Sequence, residues 1–405
     1  MRFLKGQEEI KVNMNLKFIF FAFFLTSCSI FCQDDNIKDE SYKPIWEKSF
    51  GVGYTNTINP VLSSSGVIYS PVQDLRNDFS SPSTLTSLDS ETAITQWVWK
   101  DTFKDSYEEF LGNDISYFID DQLVIQSGPR IYKINTENGS TIWKDNQFQN
   151  IYSGIYVFEN KIYFAGKDSE RNGIIYTMSL ETSEVIETLE VYEASAPMLI
   201  LKNGMKYLLL NTGFLREDNK TQNKIALYSL DTDSLIYNVD LLDAELSFSS
   251  KHYPISEDDN IFTSISEVII CVDFFTGRVK WNTALKGNMD FSGFILAPNG
   301  NLYANTEFGV YCLNPENGNI LWRFEGDDEG ISSRMQYHKD VIYYIGGAKF
   351  NAIDATTGEK LLAFEAPSRA VDDGAFFQPV MTIDQENDRI YTASYTHAYC
   401  YPTLR

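Results

Sequence analysis

Asn135-Thr136-Glu137-Asn138-Gly139-Ser140-Thr141-Ile142-Trp143 decides the reading of this chain, because its pattern returns downstream. Asp273 to Trp281 (DFFTGRVKW) and Asn314 to Trp322 (NPENGNILW) repeat an Asx, a Gly four residues on and a Trp four beyond that. Asp354 to Leu362 (DATTGEKLL) keeps the turn and exchanges Trp for Leu, while Asp89 with Trp97 keeps the spacing without Gly. Each residue type has a physical task. The Asx side chain closes the turn on backbone N–H groups, and Gly supplies a positive φ. A Trp four residues further lies on one face of the next strand, because strand side chains alternate with period two. Ser179 to Glu187 and Asp231 to Val239 read as degenerate copies without Gly or Trp, for which looser turns are expected.

Working outward, an apolar strand precedes each turn. Val67-Tyr69, Leu123-Ile125, Lys161-Tyr163, Lys206-Leu208, Asn260-Phe262, Asn301-Tyr303, Val341-Tyr343 and Arg389-Tyr391 recur at about 40–50 residues, with room for four strands per unit. The last unit stops at Arg405 without its turn-and-Trp strand, and Pro44-Ile45-Trp46 to Phe50 supplies that piece from the other end. Closure of this kind leaves no unpaired sheet edge between first and last units. The expectation is an all-β protein over residues 43–405: one eight-bladed β-propeller of four-stranded antiparallel blades, its ring closed by an N-terminal strand. Trp46, Trp97, Trp143, Trp281 and Trp322 share the repeat slot and are expected between neighbouring blades, with Trp99 the exception.

The 405 residues carry a net charge of -23, a surface that repels nucleic acid and anionic headgroups and favours cationic partners. Residues 1–28 read as an export signal. Phe18 to Leu25 is unbroken apolar sequence behind the basic start Met14-Asn15-Leu16-Lys17, which points to Met14 as an alternative start. Even extended to Cys32 the run has only about 15 residues, short for a spanning helix. Leu25-Thr26-Ser27-Cys28 resembles a lipobox, so Cys28 is the expected lipid anchor. Ordinary cleavage near Gln33 is the alternative. Residues 29–42 form a polar tether.

The Asx-x-x-x-Gly-x-x-x-Trp repeat resembles that of pyrroloquinoline-quinone-like (PQQ-like) propellers over nearly all of residues 43–405. The resemblance implies the fold but not one function. The family includes quinoprotein alcohol and glucose dehydrogenases and the non-enzymatic propeller lipoprotein of the outer-membrane β-barrel assembly machinery. The dehydrogenase branch implies adjacent cysteines and a Ca²⁺-centred site. This chain has no Cys-Cys pair, and no such ligand set aligns. The assembly-lipoprotein branch fits better, and it implies an exported outer-membrane lipoprotein that scaffolds a protein partner, monomeric, without cofactor, and touching the membrane only through its anchor. A soluble periplasmic or extracellular form follows if Cys28 is not lipidated. A propeller binding glycan or a small molecule in its central funnel is the alternative function, and a PQQ-dependent enzyme is disfavoured.

Cys271, Cys312 and Cys400 share one slot, two residues before the turn, where Ser87, Thr177, Ser229 and Ala352 stand elsewhere. Small, buried and unbridged side chains are expected there, because stacked sheets lie about 10 Å apart and a disulfide needs Cα atoms within about 7 Å. His252, His338 and His397 are scattered without ligand spacing, so no metal site is expected. The connections between blades carry acids, among them Glu190, Asp243 and Glu245. Asp327, Asp328, Glu329, Asp372 and Asp373 form the densest clusters and are the candidate seat for a basic protein segment or a divalent cation. Pro71–Thr84 and Phe214–Asn223 read as loop insertions.

Overall fold

A computed structural model describes residues 42–51, 54–56, 58–73, 84–100, 116–119, 121–127, 130–148, 151, 153–167, 173–191, 194–215, 220–245, 254–287, 293–325, 333–370 and 375–405. They form eight four-stranded antiparallel sheets arranged in a ring, with a two-stranded ribbon, Tyr54–Asn56 with Pro71–Gln73, beside blade 1. Blades 1 to 7 occupy 61–100, 116–145, 156–191, 194–245, 255–284, 294–325 and 336–365. Blade 8 joins Phe377–Asp384, Arg389–Ser394 and His397–Pro402 to Trp46–Ser49 from the other end of the chain. Second and third strands are buried along most of their length, whereas fourth strands alternate exposed and half-buried residues on the outer rim.

The chain closes the ring by backbone pairing. Trp46 pairs with Cys400 and Ser49 with His397, and the Ile45 N–H donates to the Cys400 carbonyl at 2.7 Å. Blade 8 then grips blade 1. Trp46 Nε1 donates to the Ser90 carbonyl at 2.8 Å, and Arg389 makes a two-pronged ion pair with Glu91 at 2.6 and 2.7 Å. Deeper in the joint the buried Tyr69 hydroxyl donates to the Tyr399 carbonyl at 3.2 Å.

One cross-strand pair recurs in every blade and defines the repeat more sharply than the sequence does. It is Ser87–Trp97, Lys133–Trp143, Thr177–Glu187, Leu227–Tyr237, Cys271–Trp281, Cys312–Trp322, Ala352–Leu362 and Cys400–Trp46. Five slot tryptophans cross to the next blade and donate to a turn carbonyl there: Trp46 to Ser90, Trp97 to Thr136, Trp143 to Leu180, Trp281 to Pro315 and Trp322 to Ala355, all at 2.8–3.1 Å. Trp99 is buried in the same joint as Trp97, its Nε1 on the Thr141 hydroxyl at 2.9 Å.

Blade 4 departs from the expected register by two residues. Its turn starts at Ser229, whose hydroxyl accepts the Thr232 N–H, so the slot residue is Tyr237 in place of Val239. Asp231 resembles an Asx cap in sequence, but its carboxylate is used by the neighbouring hairpin, where it accepts the Lys206 N–H at 2.6 Å. The shift moves Leu227, not Ser229, into the cysteine slot, and Lys133 fills it in blade 2. A small residue is therefore not a requirement of that slot. Buried Lys133 survives there by donating to the Leu180 carbonyl at 3.1 Å, and loss of hydration lowers its ammonium pKa.

The expected looseness of blade 3's turn is not found. Ser183 N donates to the Ser179 carbonyl at 3.0 Å, matching Gly139 to Asn135 at 2.9 Å. Ser183 meets the turn's demand by taking φ of 61° itself. A left-handed residue with a Cβ costs about 1–2 kcal/mol, partly offset by the greater chain entropy glycine loses. Ser183→Gly is thus expected to stabilise the protein by about 0.5–1 kcal/mol, read as a raised midpoint in urea with unchanged slope.

Strands also run further than expected. Met205–Leu215 and Lys220–Ser229 extend into the segment read as the loop Phe214–Asn223, and Pro71–Gln73 and Thr84–Leu88 enter the other insertion. Val185–Val191 and Ser234–Glu245 carry Glu190, Asp243 and Glu245 within fourth strands, so those acids do not belong to connections.

Candidate protein-docking surface

The turns between third and fourth strands line up with those between first and second strands on one face of the ring. Backbone bonds tie them together: the N–H groups of Thr136, Leu180, Phe274 and Ala355 donate to the carbonyls of Asp121, Asn160, Asp259 and Asp340 at 2.8–3.1 Å. Local chemistry makes this face acidic. The side chain that opens a turn accepts N–H groups two or three residues on, as Asn135 does from Glu137 and Asn138 at 2.8 and 3.2 Å and Asp354 does from Thr356 and Thr357 at 2.9 Å. The segments 89–94, 135–140, 179–184, 229–234, 273–278, 314–319 and 354–359 hold eleven carboxylates and one cation, Arg278. Asp121, Glu159, Asp258, Asp259, Asp340 and Asp388 add to them from the adjoining turns.

Local partners lower the pKa values of several of these carboxylates. Hydrogen bonds from the Thr92 hydroxyl and from the Thr276 hydroxyl lower the pKa values of Asp89 and Asp273. Lys339 and His338, at 2.6 and 2.7 Å, do the same for Asp388. Asp89, Asp273 and Asp388 therefore keep their charge below the ordinary carboxylate range.

A cavity of about 590 Å³ opens between the first strands of blades 6 and 7, lined in part by Phe294, Ile295, Pro298, Met335 and Tyr337. Its polar rim includes His338, which is occupied by Asp388 from blade 8. Among the described residues no three His, Cys, Asp or Glu side chains converge as a metal site would require.

The described part of the molecule matches a known architecture. A family model described as the outer membrane protein assembly factor BamB covers residues 221–397. Eight blades in a ring and the Trp-to-turn bonds between them agree with that match. The chain is an eight-bladed β-propeller, similar over residues 221–397 to the PQQ-like family. BamB from Moraxella catarrhalis is similar at 14% identity over 76% of this chain and 82% of that chain, with a TM-score of 0.50. A computationally designed protein, Ika8, is similar at 13% identity over 87% and 98%, with a TM-score of 0.61. No curated protein matches. At such identities the structural likeness speaks for the fold alone. The matched stretch of the propeller holds the repeats 273–281, 314–322 and 354–362, where turn glycines are intact.

The five slot tryptophans are thus placed at blade joints. Cys28 and the clusters Asp327, Asp328, Glu329 and Asp372, Asp373 lie outside the described residues, so their surroundings are not part of this site. The turn face itself went unnoticed in sequence, because its acids are dispersed one or two per repeat and never form a run.

Cys271, Cys312 and Cys400 are free and buried. Burial pushes their thiols up to about 11, 11 and 12. Such thiols give almost no thiolate at pH 8, so peptide mapping should find them unmodified by a water-soluble thiol reagent in the native protein and fully modified in urea. Their contribution to stability is complete below the unfolded thiol value, about 8.5, and is lost as pH rises through the folded values. Unfolding between about pH 9 and 12 is the expected alkaline signature.

Proposed function

We propose that this propeller is an exported, envelope-held scaffold that binds a basic protein partner and performs no chemistry itself. The observation that carries the reading is the acidic turn face: its third-to-fourth-strand turns hold eleven carboxylates, of which Glu91, Asp273 and Asp354 meet Arg389, Lys280 and Arg405 and the rest leave the face net negative. A field of one sign over a rigid surface steers an oppositely charged partner and resists wrong ones. The family model's own description, an assembly factor, supports the scaffold class. The lipobox-like Leu25-Thr26-Ser27-Cys28 supports anchoring through Cys28, with the residues between Cys28 and Tyr42 as the tether, since Tyr42 itself packs into the joint of blades 7 and 8.

Two sets of carboxylates compete for the partner. Asp327, Asp328, Glu329, Asp372 and Asp373 follow the fourth strands of blades 6 and 7, whereas Glu137, Glu181 and Glu316 sit in the turns. Charge reversal of each set, followed by quantitative capture of partners from detergent-solubilised envelopes at two salt concentrations, separates them. Loss of salt-sensitive capture on reversing either set supports the reading and identifies the face. Unchanged capture with both sets reversed refutes electrostatic docking.

A further inference from the structure

The cavity between blades 6 and 7 meets their first strands edge-on. Its wall takes every residue of 293–298 and of 334–339, with Gln385 from blade 8. Strand side chains alternate between faces, so a cavity lying against one face of a strand would touch alternate residues. Unbroken runs mean contact with the backbone edge. Phe294–Leu296 and Gln336–His338 end their sheets and pair on one side only. Alternate N–H and C=O groups on the other edge therefore have no strand partner among the described residues. Fourth strands form the outer rim, so these edges border the central channel. Pro298, Lys339 and Gln385 belong to first-to-second-strand turns, which puts the mouth of the cavity on the turn face.

This wall differs in charge from the face around it. None of the described residues that line it carries a carboxylate, although the chain has 56 acids against 33 bases. Of its three basic side chains, Lys339 and His338 are both held by Asp388, at 2.6 and 2.7 Å, and Arg334 is the third. The amides of Gln336 and Gln385 supply further polar groups, and Phe294, Ile295 and Met335 supply apolar ones. Tyr337 combines both and keeps part of its surface exposed. Its ring stacks on buried Tyr303 at 6.2 Å, and its hydroxyl donates to Asp340 at 2.6 Å. A ring already fixed at both ends loses little entropy when a ligand lies on it.

A volume of about 590 Å³ lies within the range of small-molecule sites. Its occupant has to meet donors and acceptors that alternate along two strand edges, amides that offer both, and an aromatic ring. A hydroxyl group donates and accepts at once, so a polyhydroxyl ligand without charge matches this wall. An extended peptide matches it less well. It pairs with one edge at a time, and each edge here is a strand of three residues. We infer that the cavity binds a short neutral oligosaccharide, its hydroxyls on the strand edges, Gln336 and Gln385, and the apolar face of one sugar ring on Tyr337. The site stands beside the scaffold reading and does not rest on it.

The test is calorimetric titration of the whole protein with maltotriose, cellotriose and triacetylchitotriose, and with end-blocked trialanine as the peptide control. The expected result is saturable binding of at least one trisaccharide and none of the peptide. An uncharged ligand does not feel the field of the face, so its affinity should hold when salt is raised to about 0.5 M. Gln336→Trp, which fills the cavity, is expected to weaken binding at least tenfold. Gln385→Ala, on an exposed turn, should weaken it about fivefold, the loss of one hydrogen bond. Arg323→Ala, exposed on the fourth strand of blade 6, should leave it unchanged. Thermal melts of each variant separate loss of the site from loss of the fold. Absence of binding by all three trisaccharides, binding of trialanine in their place, or equal affinity in both glutamine variants and the parent protein overturns the site. The scaffold reading fails separately, on the absence of salt-sensitive partner capture.

Discussion

Trp281→Ala is expected to destabilise the propeller by about 3–5 kcal/mol, although the ring is half-buried and makes a single hydrogen bond. The loss has three parts. The indole pairs with Cys271 within blade 5, packs at 6.0 Å centroid distance on Phe262, and donates to the Pro315 carbonyl of blade 6 at 2.9 Å. Truncation leaves a cavity between two sheets that are held rigidly by their neighbours in a closed ring, so collapse around it is limited. The same joint makes Gly318 irreplaceable for two reasons. Its φ is +71°, and a Cβ there would stand 2.5 Å from the Trp281 ring and 2.5 Å from Thr283 Oγ1. Gly318→Ala is therefore expected to cost about 2–4 kcal/mol, from the left-handed backbone and the overpacking together. Urea titrations of both variants check this, and an unchanged midpoint for Trp281→Ala would mean that the slot residue does not carry the joint.

Removing the closing segment should have a larger effect still. A chain starting at Gly51 loses the strand Trp46–Ser49 and leaves His397–Pro402 as an open edge. It loses the Trp46 side of the joint with blade 1 and keeps the Arg389–Glu91 ion pair and the Tyr69–Tyr399 bond. It also loses Tyr42, which stacks on Tyr401 at 5.5 Å and meets Phe364 edge-on at 5.6 Å. Tyr42 fills the joint between blades 7 and 8, the one whose slot holds Leu362 in place of Trp. Tyr42→Ala alone is expected to cost about 3–5 kcal/mol. Loss of the whole segment, on the order of the 5–15 kcal/mol that hold a typical domain, should abolish the cooperative thermal transition and promote aggregation through the exposed edge. A truncated chain that melts cooperatively at the parent temperature would contradict closure by this strand.

The repeat was legible because its turn chemistry is local. An Asx, a Gly and a Trp at fixed offsets locate a turn and the face of the next strand without knowledge of any distant contact. That logic placed all eight blades and the closing strand. It misplaced blade 4, where Asp231 offers the right side chain at the wrong position and only the Lys206 N–H of a neighbouring hairpin reveals its use. It missed Tyr42 altogether, since a lone Tyr ahead of Pro44 carries no periodic signal and its partners lie some 300 residues and more downstream. The turn face was hidden for a related reason. Eleven acids spread over seven repeats become a surface only when the ring brings the turns together.

Purification from detergent-solubilised envelopes, with the intact mass of the chain and the stoichiometry of whatever accompanies it, tests the scaffold reading most directly. The account predicts a chain beginning at a diacylated Cys28, together with one membrane-associated protein in fixed proportion that dissociates as salt is raised. A chain beginning near Gln33, with no companion in fixed proportion at any salt concentration, would contradict it.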